Sequence, residues 1–188
     1  MKTNKAGVSL VEIIIGMALL TVFVLSINSA IVSHYKIYDA SSIENDIHAE
    51  NLTIMERLSK LARESRGIVA SHNFSGTLLT SSSSTAVFEL PHLDLSGNIV
   101  ANYYDYLGFL KSPTSTYFYE YTDAAGTGLR KDGSRLLSKF ASKVIFGYNN
   151  STPANSTEIT FLLEITKTLR GQQKIFSNST SIYFQNKQ

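Results

Sequence analysis

Residues 5–35 read KAGVSLVEIIIGMALLTVFVLSINSAIVSHY, and from Ile13 to Tyr35 the chain carries no Asp, Glu, Lys or Arg. At about 1.5 Å rise per residue, roughly 20 such residues cross a hydrocarbon core about 30 Å thick, so this stretch predicts a membrane-spanning helix. Lys2 and Lys5 precede it. Positive residues stay on the cytoplasmic side, which predicts a single pass with the N-terminus inside and the long C-terminal part outside. A secretory signal has a shorter apolar run ending at a small-residue cleavage site. The segment SINSA, Ser26 to Ala30, imitates such a site, but the run from Ile13 continues past the usual length. A plain signal anchor accounts for everything here except Glu12.

Glu12 stands at the mouth of the apolar run. A charged side chain costs about 3 kcal/mol at the middle of a bilayer on insertion scales, less near the interface, and persists where it has a partner or a use. Cutting the chain after Gly7 would give Val8 a new α-amine, with Glu12 four residues further on. Amine and carboxylate could then pair between helices packed with an axial stagger, so that neither charge is buried alone.

The basic leader Met1–Gly7, the segment Val8-Ser9-Leu10-Val11-Glu12 and the apolar helix behind it resemble the prepilin N-terminus of type IV pilins and type II secretion pseudopilins. The resemblance implies cleavage by a prepilin peptidase between Gly7 and Val8, N-methylation of Val8, and a role for Glu12 in docking subunits. Two positions depart from the pattern. Val8 stands where Phe is usual, and Ser29 stands where major pilins commonly carry a helix-breaking proline, which points to a minor subunit.

The chain has 188 residues with a formal charge of +2, enough for one domain and an extra element. Its basic residues are scattered, and the dense stripe of a nucleic-acid binder is missing, although DNA uptake stays open. Without cysteine it has no disulfide, no thiolate nucleophile and no Cys-based metal site.

Beyond the membrane stretch, Ile37, Ala40, Ile43, Ile47, Ile54, Leu58 and Leu61 recur at helical spacing with charged residues between them. Lys60, Arg63 and Arg66 make a positive last turn, and Gly67 reads as its C-cap. One helix from about Val8 to Arg66 would span roughly 90 Å. A break near Ser26–Ser29 or Asp39–Ser42 is the alternative.

After Gly67 the pattern changes to period-two runs rich in Ser, Thr, Asn and aromatics. Strands are expected at 77–80, 85–90, 99–111, 116–122, 143–148, 158–168 and 174–184, forming an antiparallel sheet across the amphipathic half of the helix. The expected fold class is α+β: a leader at 1–7, a membrane or filament-core helix at 8–35, its amphipathic continuation at 36–66, and a β-rich head at 67–188. Met55-Glu56-Arg57-Leu58 and Tyr183-Phe184-Gln185-Asn186 fit the outline of larger minor pilins and pseudopilins of the PilW and J-type kind, a resemblance of layout more than motif.

Signs of covalent chemistry are absent from the sequence. His34, His48, His72 and His92 lack ligand spacing and read as surface or packing residues. Gly126-Thr-Gly128-Leu-Arg-Lys131 matches no phosphate-binding fingerprint and reads as a loop. No serine sits in G-x-S-x-G. Asp123 and Asp132 bracket that loop as a loose calcium site, but two carboxylates are few ligands for calcium and an ordinary turn is the first reading. Tyr103, Tyr104 and Tyr106, with Tyr117, Tyr119 and Tyr121, are expected to make cross-strand pairs and cover the core, with an exposed contact stripe as the sharper alternative. Triplets at Asn150, Asn155 and Asn178 match glycosylation acceptors, as Ser/Thr/Asn-rich surfaces do by composition.

The sequence thus leads to a non-enzymatic structural subunit with no cofactor and no metal. Its expected partners are other pilin-like subunits, a prepilin peptidase, an inner-membrane assembly platform and the bilayer. Its expected place is the cytoplasmic membrane, then a surface or periplasmic filament. The competing reading is a membrane-anchored binding or adhesion module that never polymerises.

Overall fold

The computed structural model describes residues 9–169 and 171–184. The chain divides into two compact units, Met1–Ser42 and Ile43–Gln188. A single α-helix, α1 (Leu10–Glu64), contributes to both, with no break at Ser26–Ser29 or Asp39–Ser42.

In the first unit, α1 carries no charged residue from Ile13 to Tyr35. Its most apolar window has mean hydropathy 2.6 and is 0% buried. So apolar and exposed a stretch is covered by lipid or protein in a stable assembly. It is long and apolar enough to cross a membrane.

The second unit is built on the continuation of α1 from Ile43. Ile43, Ile47, Ile54, Leu58 and Leu61 are buried on one stripe, with Met55 and Ala62 beside them. Ile37, expected on the same stripe, is 62% exposed. Among the described residues ten strands follow: β1 (Gly67–Ile68), β2 (Ser71–Phe74), β3 (Thr77–Thr80), β4 (Thr85–Leu93), β5 (Ile99–Lys111), β6 (Phe118–Asp123), β7 (Gly133–Ser138), β8 (Ala141–Tyr148), β9 (Glu158–Leu169) and β10 (Gln172–Tyr183). Every strand pairing is antiparallel. They form a five-stranded sheet β1-β4-β5-β6-β7, a three-stranded sheet β10-β9-β8 and the hairpin β2-β3. The class is α+β, a pilin-like layout of one long apolar N-terminal helix followed by antiparallel sheets.

Alternation decides which side each strand buries. On β9, Ile159, Phe161, Leu163 and Ile165 are buried while Thr160, Leu162 and Glu164 between them are partly exposed. On β4, Ala86, Phe88 and Leu90 join the main core, whereas Val87 points to a second, smaller core with Phe74 and Leu79 under the β2-β3 hairpin. Phenylalanines fill the main core, with edge-to-face contacts between Phe88 and Phe109 (5.7 Å) and between Phe146 and Phe161 (5.9 Å).

Several expectations need correction. The single sheet is two sheets and a hairpin. The helix ends at Glu64, and Gly67 is no C-cap: it is buried in β1 opposite Glu89, and the backbone N–H of Arg66 already bonds the Glu89 carbonyl. The strand expected at 116–122 runs Phe118–Asp123. Strands β1, β2 and β7 were not anticipated. The β2-β3 hairpin turns on Ser75 and Gly76, both at positive φ (50° and 97°), a conformation that Ser-Gly does not advertise as Asn-Gly does.

Candidate functional site

Gly7 and Val8, the expected cleavage and methylation positions, lie outside the described residues, as do the leader lysines. Glu12 is described. Its Oε2 accepts the backbone N–H of Ser9 at 2.9 Å, and the Ser9 Oγ accepts the backbone N–H of Glu12 at 3.2 Å. This reciprocal pair is a capping box, in which two otherwise unpaired donors of the first turn are satisfied. The spacing Ser-x-x-Glu ahead of an apolar run is its signature, and reading Glu12 only as an assembly charge overlooked it. The carboxylate also lies where the helix dipole favours a negative charge.

Further along the apolar stretch, the hydroxyls of Thr21 and Ser26 donate to the carbonyls of Met17 and Val22. These bonds satisfy both hydroxyls within the helix itself. Val22, Leu25, Ser26, Ser29, Ala30 and Ser33 line one shallow groove along the helix, four of them Ser or Ala. Small side chains of this kind let helix backbones approach closely in lipid.

The remaining singled-out residues take up structural positions in the second unit, His34 excepted, which is exposed on the helix. His48 rests on the Phe176 ring at 3.8 Å. His72 stacks on Tyr106 and reaches the Asp123 carboxylate at 2.6 Å. His92 is buried, with Nδ1 2.7 Å from Asp105 Oδ1. Asp132 accepts the backbone N–H of Ala124 at 2.6 Å. Among the described residues, no group of three or more His, Asp or Glu could hold a metal ion.

The Gly126–Lys131 segment is a loop laid against His92. A Cβ on Gly128 would collide with the Leu93 carbonyl and stand 2.7 Å from the imidazole, so that glycine serves close approach. Tyr117, Tyr119 and Tyr121 touch in series at 6.1 and 6.3 Å. Tyr121 packs over the small core, while Tyr117 is 40% exposed. Asn178 lies in β10 and Asn155 in the short 3-10 turn, and Asn150 holds the Thr152 N–H.

Sequence reading also missed two buried carboxylates. Glu120 receives both Nε and a terminal nitrogen of Arg57, at 2.6 and 2.5 Å, and a terminal nitrogen of Arg135 at 3.1 Å. Asp105 receives His92, the Ala125 N–H at 3.0 Å and Arg130 at 2.9 Å. Alternation along β5 and β6 put both on the core-facing side, but partners distant in sequence leave no local signal. Compared with family models, curated proteins and solved structures, the chain matches none.

Proposed function

We propose that the chain is a minor pilin or pseudopilin, a structural subunit cut between Gly7 and Val8 and assembled into a filament through α1. The observation that carries this reading is the apolar, charge-free helix led by Glu12, directly behind a short basic leader ending in glycine. Its mechanism is packing. The apolar helices bundle away from water, Glu12 meets the methylated Val8 amine of a neighbour, and the β-rich head is displayed. The unbroken course of α1 past Ser29 supports a subunit whose helix need not melt on assembly. The leader lysines support an N-terminus in the cytoplasm. Prepilin peptidase, an assembly platform, other pilin-like subunits and the bilayer are the partners, and no cofactor takes part.

One observation favours a second reading, a single-pass anchored binding module. The capping box gives Glu12 a local use that needs no neighbour. Shearing cells and probing the released material separates the two. A filament subunit is expected in the sheared fraction; retention of the whole population in the membrane would support the anchored module.

A further inference from the structure

A cleft of about 480 Å³ opens between the last turns of α1, the loop before β7 and the β5-β6 face. Its lining includes five cations, Arg57, Lys60, Arg130, Lys131 and Arg135, against three carboxylates, Glu64, Glu120 and Asp132. With Asp105, which lies behind the lining and holds Arg130, five cations face four carboxylates and the site is one charge positive. We propose that this cleft binds a phosphoryl group carried by a small molecule, independently of how the chain is anchored or assembled.

The site is built from fixed parts. Glu120, only 4% exposed, draws Arg57 from the helix and Arg135 from β7 onto one carboxylate. One anion thus holds two guanidiniums, leaving an uncompensated positive charge in the wall of the cleft. Arg57 spends Nε and one terminal nitrogen on Glu120, and Arg135 spends one terminal nitrogen. Among the described residues no hydrogen bond occupies the other terminal nitrogen of either.

The loop wall is pinned as well. Arg130 donates to the Pro91 carbonyl at 2.7 Å and to buried Asp105, and it pairs with Glu64 at 3.5 Å. The Leu129 N–H bonds the Leu93 carbonyl, and Asp132 holds the Ala124 N–H. Each lining carboxylate is therefore engaged. Lys60 contacts Glu64 only at 4.0 Å and is 75% exposed, and Lys131 is exposed beside it in the lining.

Glu120 is buried while Arg57 and Arg135 are partly exposed, so the shared carboxylate anchors both forks and lowers the cost of ordering them when a ligand arrives. Planar guanidinium donors with mobile ammonium groups suit a phosphoryl oxygen set, and its negative charge at neutral pH is opposite in sign to the surplus. The volume suits a small ligand.

The test titrates the full chain in detergent micelles with inorganic phosphate and with glycerol phosphate, at constant ionic strength, by calorimetry. Saturable binding is expected for both. Lys131→Gln and Arg135→Gln, at exposed positions, are each expected to weaken it about tenfold or more, whereas Lys143→Gln on β8 leaves it unchanged. Heat indistinguishable from that of chloride, or equal loss in Lys143→Gln, would overturn the proposal. Binding of glycerol itself as tightly as glycerol phosphate would also overturn it, because the phosphoryl group would not be the recognised element.

Discussion

Glu12 is a capping partner in the structure and, in the proposed filament, a charge that must find an amine. Gln at the same position still serves a capping box but carries no charge. Glu12→Gln is therefore expected to insert in the membrane like the parent chain and to lose at least tenfold in the sheared filament fraction. Ser9→Ala, which removes the cap at a cost of about 1 kcal/mol, is expected to assemble. Equal incorporation of parent and Glu12→Gln would strip the charge of any assembly role.

Tyr148 gives a second prediction at this scale. Its hydroxyl lies 2.8 Å from the Thr85 carbonyl, and burial raises its pKa well above the ordinary tyrosine value. Below about pH 10 the phenol is protonated in folded and unfolded chains alike, and its contribution to stability is complete. Above it the unfolded chain releases a proton that the folded chain retains, so stability falls as pH rises. Denaturant unfolding from pH 9 to 11 is expected to show this decline, and Tyr148→Phe is expected to reduce its slope.

Among elements, the Ile43–Glu64 part of α1 carries the core of the second unit. Leu58 is 1% exposed within it, and Leu58→Ala is expected to cost about 2–5 kcal/mol in denaturant unfolding. Leu52, 55% exposed on the opposite side, serves as the control, and Leu52→Ala is expected to change stability by no more than about 0.5 kcal/mol. Equal costs would contradict the assigned buried face.

That face was legible in the sequence because Ile43, Ile47, Ile54, Leu58 and Leu61 keep helical spacing. Strands β5 and β9 were legible for the matching reason, a sustained period of two. What escaped was specified by distant partners. Asn51 sits on the buried stripe of α1 and donates to the Leu163 carbonyl of β9, a contact 112 residues away along the chain. Strand β1 is two residues long and exists only through its pairing with β4. Strand β7 looked like the end of a loop because its Gly133–Arg135 half is exposed. At the candidate site, the apolar helix and the position of Glu12 could be read directly, and the capping box was encoded in Ser9 and Glu12. The cleft was not, because Arg57, Glu120 and Arg135 meet only after three elements have packed.

For the whole molecule, the charge balance depends on the proposed processing. Removing Met1–Gly7 takes Lys2 and Lys5 from seventeen cationic residues and leaves fifteen against fifteen acidic ones. The slight basic excess therefore belongs to the leader, where positive charge orients insertion. A neutral chain bearing an exposed apolar helix is a poor soluble monomer. In the proposed filament that helix is covered by its counterparts, and the head supplies the polar surface.

The most direct test of that account is the mass and N-terminal sequence of the chain isolated from its native membrane or filament. The account predicts a chain starting at Val8 and carrying one methyl group on its α-amine. An intact Met1, or a start after Ala30, would contradict it.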